Sequence, residues 1–217
     1  MKQVLQVIDG HRFTERDFVG GDAALDFINT VTGRDQSAPR DWLDSYERLL
    51  EWAAHANLLP DKLLRALARS AQGEPAAALK ALARAKLLRE SLFTIVSALA
   101  AGRAPPQAAL ALLREHWLRG AAAQSFRFAD GRLAVAVDGA DDDLDLIASI
   151  VAWRVVEHVL PAPEGRLRIC QGTDCAWLFI DCSKAGRRRW CDMAVCGNAA
   201  KSRRFLARSR SGRRIHG

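Results

Sequence analysis

Residues 170–196 read CQGTDCAWLFIDCSKAGRRRWCDMAVC, and this window holds all five cysteines of the 217-residue chain. Four of them form two pairs, Cys170/Cys175 and Cys191/Cys196, with four residues inside each pair and fifteen between the pairs. Two sulfurs carried on one tight turn reach the same ion, so two such knuckles suit one tetrahedral zinc; the four-residue gap is at the long end of the usual range. The plain alternative is a set of reduced, buried cysteines. Four thiolates fill a zinc coordination sphere and leave no position for water or substrate, so the expected cofactor is one structural Zn2+ and not a catalytic ion. Cys182 has no partner at knuckle spacing and reads as a bystander thiol.

Charge is distributed unevenly around this window. From Pro161 onward there are 13 Lys/Arg against Glu164, Asp174, Asp181 and Asp192, whereas the first 160 residues carry 19 basic and 21 acidic groups. The net charge of +7 therefore belongs to the cysteine region. A small basic module on a near-neutral domain is the electrostatic pattern of a nucleic-acid binder. For Ser209 to Gly217 alone, a solvated basic tail explains the composition as well.

An odd number of cysteines confined to one stretch of a long chain fits metal binding in a reducing compartment better than a disulfide framework. The first fifteen residues, MKQVLQVIDGHRFTE, lack the features of a secretory signal, and the longest apolar run, Ser91 to Ala101, is too short to span a bilayer. A cytoplasmic protein without a membrane partner is expected.

Upstream of Pro161 the pattern is mainly helical. A short strand is expected within residues 4–8, and AALDFINTV at 23–31 reads as a short helix or an extended apolar segment. Asp41 can cap a helix carrying Trp42, Tyr46, Leu49 and Ala53, which Asn57 closes; Pro60 opens the next, ending near Gly73. A long helix follows Pro75, with Leu88, Leu92, Ile95, Val96 and Leu99 as its buried stripe. Another helix covers 107–119. Phe126, Phe128, Leu133, Val135 and Val137 alternate about Asp130-Gly131, which signals a hairpin. Asp141 to Asp143 suit the positive end of a broadly apolar helix through Val159.

The expected class is α+β: mainly helical with small β-hairpins, arranged as a helical domain over residues 1–160, a linker at 161–165 and a zinc-binding treble-clef or ribbon-like module over 166–217. In that module Arg166 to Ile169 runs into the first knuckle and Trp177 to Ile180 returns. Gly197 offers a knuckle its positive φ, and Asn198 caps a helix that begins at Ala199. Lys201, Arg204 and Arg208 share one face of that helix with Arg203 nearby, while Phe205 and Leu206 face the module. Arg187, Arg188 and Arg189, anchored beside Cys191, suit phosphate contact. Duplex DNA is the expected partner; a solvated charged face is the bland reading of the same residues.

At these residues the chain resembles the CGNR zinc-finger family, bacterial proteins regarded as stress-induced transcription regulators. The resemblance rests on Cys170, Cys175, Phe179-x-Asp181, Arg187-Arg188-Arg189-Trp190-Cys191, Met193-Ala194 and Cys196-Gly197-Asn198. Leu25 to Val31 and Leu88-Arg89-Glu90 are similar to the ABATE domain that accompanies this finger. The resemblance implies that the paired cysteines ligate zinc and that the module binds DNA. One position departs from it: the arginine of the Cys-Gly-Asn-Arg motif is Ala199 here.

Asp26, Asn29, Thr30 and Arg89 are polar groups set in apolar surroundings, and they are candidates for a small-effector pocket; Arg–Asp pairing within the core accounts for the same residues. A homodimer suits a reader of paired half-sites, although no heptad demonstrates one. An RNA-binding role is the nearest competitor. An enzyme is not expected, since there is no phosphate-binding glycine loop, no HExxH and no G-x-S-x-G, and His11, His55, His116, His158 and His216 are scattered.

Overall fold

Leu88, Leu92, Ile95 and Val96 recur at helical spacing along α4 (Pro75–Ala100), and all four are buried. Leu99, expected to continue that stripe, is instead 39% exposed near the helix end. The structure is a computed structural model that describes residues 5–213, and the side chains of residues 5–206 apart from Ala129. Val4, the side chains of Arg208 and Ser209 and the last four residues lie outside what is described.

Around α4 pack α1 (Ala23–Ile28), α2 (Tyr46–His55), α3 (Asp61–Gly73), α5 (Gln107–Ala122) and α6 (Leu146–Arg154). Every residue from Leu146 to Ala152 is buried, as a helix apolar on all sides must be. It lies tight against α5 because Gly120 has no side chain: a Cβ there would sit 2.2 Å from the Ser149 carbonyl oxygen. α6 continues as a π-helical turn over Val155–Val159, before Pro161. It begins at Leu146, later than expected, and Asp141 to Asp143 lie in the turn before it. Asp145, next to its start, accepts from Arg84 at 2.8 and 2.9 Å.

Three two-residue strands, β1 (Gln6–Val7), β2 (Val31–Thr32) and β3 (Arg40–Asp41), form a small sheet in the order β1-β3-β2. Asp41 therefore belongs to a strand. Ser45 caps α2, its hydroxyl accepting from the Arg48 N–H at 3.1 Å. The Asp41 carboxylate is taken by Arg89, at 2.7 and 2.9 Å, and by Lys86 at 3.0 Å. At the other end of α2, Asn57 takes the left-handed conformation expected of a helix-closing residue, with φ 48°.

The hairpin β4 (Gln124–Ala129) and β5 (Arg132–Val137) pairs in register from Gln124↔Val137 to Ala129↔Arg132. Asp130 and Gly131 both have positive φ, 51° and 73°, as a two-residue turn of this hand requires. The second hairpin, β6 (Leu167–Ile169) with β7 (Leu178–Ile180), frames the first cysteine knuckle, and α7 (Asn198–Arg213) follows the second. No helix among the described residues is long and apolar enough to cross a membrane.

Residues 161–165 separate the two parts in sequence, yet the parts share one core. Leu178 of β7 has no exposed surface and belongs to the same apolar cluster as Leu25, Leu88 and Ile150.

Candidate metal centre

The first knuckle turns through Asp174 and Ala176, both with positive φ (62° and 57°), which brings Cys175 back beside Cys170. Gly172 lies under the opposite knuckle: a Cβ there would meet Cys196 Sγ at 2.9 Å and Cys170 Sγ at 3.4 Å. The glycine is required by the closeness of the sulfurs, since any side chain would push the knuckles apart.

The Sγ atoms of Cys170, Cys175, Cys191 and Cys196 all lie within 4.8 Å of one another. The Cys175–Cys191 and Cys191–Cys196 separations are 3.7 and 3.8 Å. A tetrahedral zinc about 2.3 Å from each sulfur requires sulfur–sulfur edges of about 3.8 Å, so the donor set matches the ion in number, kind and size. The N–H groups of Gly172 and Cys191 each point at Cys170 Sγ from 3.3 Å. Hydrogen bonds from the Cys175 and Cys191 thiols, with those two N–H groups, hold the Cys170 thiol far below its ordinary range. The two N–H groups also face the sulfur once metal is bound, whereas neighbouring sulfurs and burial raise the Cys175, Cys191 and Cys196 thiols, so these protons leave together with zinc binding. The centre is a structural zinc site with a closed coordination sphere. Cys182 is exposed and outside the cluster.

The chain between β7 and the second knuckle is braced by Asp181, which is 1% exposed. One carboxylate oxygen accepts from the Ser183 hydroxyl at 2.6 Å and its N–H at 3.0 Å; the other accepts from the Arg188 N–H at 2.7 Å. The Ser183 hydroxyl, with the Arg188 and Ser183 N–H groups, holds the carboxyl at about 2. Arg188 then reaches the Cys191 carbonyl and lies over the Phe179 ring at 4.9 Å. It is a brace, unlike its neighbours. Arg187 is exposed, and so is Arg189, which donates to Gln171 Oε1 at 2.7 Å. Arg187 and Arg189 line a shallow groove of about 310 Å³ with Trp190 and Met193.

The second knuckle departs from expectation in three respects. Asp192, not Asn198, caps the turn, its carboxylate accepting from the Val195 N–H at 2.8 Å. The Met193–Gly197 turn is π-helical and runs straight into α7. Gly197 is not in the positive-φ region; its missing side chain makes room for Met193, whose Sδ would be 2.8 Å from a Cβ. On α7, Lys201, Arg203 and Arg204 are exposed as expected, but Phe205 and Leu206 are 71% and 56% exposed and are not buried against the module. Ala199 is also exposed, so a longer residue there would extend into solvent and would not brace the interior.

The candidate effector residues are all buried, Asn29 against the module and the other three beside it in the lobe. Asn29 acts as a stand-in strand: its Nδ2 donates to the Leu178 carbonyl and its Oδ1 accepts from the Leu178 N–H, both at 2.9 Å. Thr30 donates to the Phe27 carbonyl at 2.8 Å and accepts from Arg89 at 2.9 Å. Arg89 has no exposed surface, and its remaining donors are held by Asp41 and Glu90. Asp26 accepts from the Gly20 N–H at 2.7 Å, and burial lifts its carboxyl to about 7. Their polar groups are committed to protein partners. Sequence alone does not report the Arg89–Asp41 ion pair, because Asp41 also fits a helix cap.

The seam between lobe and module carries further bonds: the Gly33 N–H to the Cys175 carbonyl at 3.2 Å and the Ile180 N–H to the Gly20 carbonyl at 2.9 Å. Trp42 meets Trp177 edge to face at 5.6 Å.

Two family models match the chain. ABATE, described as "Putative stress-induced transcription regulator", covers residues 21–163, and the CGNR zinc finger covers 166–214. No curated protein matches. With a helical lobe over the first range and a four-cysteine zinc site over the second, the chain belongs to the ABATE family and ends in a CGNR zinc finger.

Proposed function

We propose that this protein is a DNA-binding regulator whose zinc module docks a basic surface on duplex DNA. The observation that carries the reading is how the two parts use their arginines. In the lobe, Arg34, Arg84, Arg89 and Arg154 pair with Glu90, Asp145, Asp41 and Asp22, and surface cations such as Arg65, Arg69 and Arg103 stay unpaired among the described residues, so that paired and unpaired charge are mixed. In the module, Arg187, Lys201, Arg203 and Arg204 have no ion-pair partner among the described residues, and all are exposed. Unpaired cations held by a rigid scaffold are suited to phosphate contact, and an α7 that follows directly on a metal knuckle is aimed as a unit.

Positive charge near the start of a helix opposes the helix dipole, and an anionic partner relieves that cost. In this reading the protein is not an enzyme: its metal is fully ligated, Asn29 forms the joint that ties the lobe to the finger at Leu178, and Asp26, Thr30 and Arg89 are held by partners within the lobe beside it. An effector would act on that joint from another surface.

The test is equilibrium binding of the zinc-loaded full chain to duplex DNA across a salt series, with structured RNA as competitor. Replacing Arg203 and Arg204 with Ala should weaken DNA binding and flatten the plot of log affinity against log salt by about 0.9 for each phosphate no longer neutralised. Ala199→Arg should strengthen binding and steepen the slope. Tighter binding to RNA at equal salt would sink the DNA reading, and an unchanged slope in the double variant would place the DNA-facing surface elsewhere.

A further inference from the structure

The hairpin β4–β5 carries an apolar face that a chain acting alone would leave bare. Phe126, Phe128, Leu133 and Val135 are 76%, 75%, 68% and 52% exposed. Phe126 pairs with Val135 and Phe128 with Leu133, so all four project from one face of the ribbon. The opposite face carries Ser125, Arg127, Ala134 and Ala136, and the ribbon meets the lobe only at its base, where Val137 packs on the core and shares a cleft with Arg127, Ala136, Pro60, Lys62 and Leu63. Beyond that base the ribbon is exposed on both faces, and its bulky apolar residues are gathered on one of them. They form one contiguous patch on a two-stranded ribbon that is marginal in water without a partner.

We infer that this face is a homodimer interface, in which the hairpins of two copies stack face to face about a two-fold axis. The ribbon's charge favours a second copy over a strongly charged partner. Residues 124–138 hold Arg127, Arg132, Asp130 and Asp138 and are neutral overall, with Arg127 already bound to Asp138. Two such ribbons do not repel, and neither offers a charge for a polyanion or a polycation.

Area agrees. A phenylalanine buries about 150–250 Å², so the four side chains present roughly 400–500 Å² of apolar surface per copy. Two stacked faces then cover roughly 800–1,000 Å², and the polar rim of each ribbon carries the total past the ~1,000 Å² expected of a specific interface. Stacked sheets lie about 10 Å apart, a distance that aromatic and leucine side chains fill when they interdigitate. The inference is independent of DNA binding.

The experiment is sedimentation velocity on the zinc-loaded full chain over a concentration series, with circular dichroism on each sample. The wild type should be a dimer, and Phe126→Ser with Phe128→Ser should weaken self-association by roughly 30-fold or more with helix content unchanged. Leu133→Gln, on the other strand of the same face, should do the same and covers the case in which the double variant fails to fold. Arg127→Ala, on the opposite face, should leave the dimer intact. A monomeric wild type would overturn the inference, whether or not the chain then sediments with phospholipid vesicles. So would a folded Leu133→Gln chain that dimerises as tightly as the wild type.

Discussion

The helical lobe and the zinc module solve the same problem, holding polar groups out of water, by opposite means. The lobe surrounds a few charges with a large apolar core: Arg89 has no exposed surface and is neutralised by Asp41 and Glu90 among leucines and valines. The module has little apolar core of its own, with only Trp177 and Phe179 joining the cysteines in its buried cluster. Four sulfurs and one ion supply what packing does not. The difference teaches where each part is vulnerable. Loss of a buried partner is costly in the lobe, while loss of the metal is costly in the module. Because Leu178 and Asn29 join the two, neither loss stays local.

The largest expected effect comes from Cys191→Ser. Zinc per chain should fall from one to none by elemental analysis, and the module should lose its ordered structure. The lobe should keep its helical dichroism yet lose about 2–4 kcal/mol in urea unfolding, since Asn29 is left unpaired and Leu178 leaves the core. An unchanged unfolding midpoint for the lobe would break the comparison and make the two parts independent. Retention of one tightly bound zinc would refute the ligand assignment.

Arg89→Met probes the other side. Breaking a buried pair from one side strands the opposite charge, so a loss of about 3–5 kcal/mol is expected in urea unfolding, with zinc content unchanged. A loss under about 1 kcal/mol would mean that Asp41 is relieved by Lys86 alone, at 3.0 Å, and that the lobe depends less on this pair than its burial implies.

The smallest effect sharpens the comparison through pH. Burial lifts Asp26 in the lobe to about 7, whereas the Ser183 hydroxyl and two N–H groups hold Asp181 in the module at about 2. The folded lobe therefore keeps a proton that the unfolded chain releases at about pH 4, and its stability falls as pH rises toward 7. Asp181 acts in the reverse sense: its contribution is present above about pH 4 and lost as pH falls toward 2. Asp26→Asn should flatten the decline in melting temperature between pH 5 and 8 and add on the order of 1–3 kcal/mol at pH 8. A wild-type melting temperature that rises across that range would contradict the Asp26 assignment.

Much of this architecture is legible in sequence wherever the signal is local. The pairing of the cysteines, the Asp-Gly turn and the α4 stripe up to Val96 each depend on residues a few positions apart and form as read, while Leu99 and the cap of the second knuckle do not. Local reading fails where two neighbouring solutions compete. Asp41 and Ser45 both fit a helix cap, and Asn198 and Asp192 both fit the turn before α7; the choice falls to Ser45 and Asp192. Asp41 instead meets Arg89, 48 residues away, a pairing that no periodicity reports.

By itself the sequence determined the metal, because coordination chemistry needs only four thiolates on two short turns, and it determined where positive charge collects, because charge is additive along a chain. Tertiary structure alone decided what those turns rest on. Asn29 finds Leu178 across 149 residues, and the hairpin shows its phenylalanines to solvent instead of to the core. Alternation tells which residues share a face, but which face meets the core is settled only when the whole chain has packed.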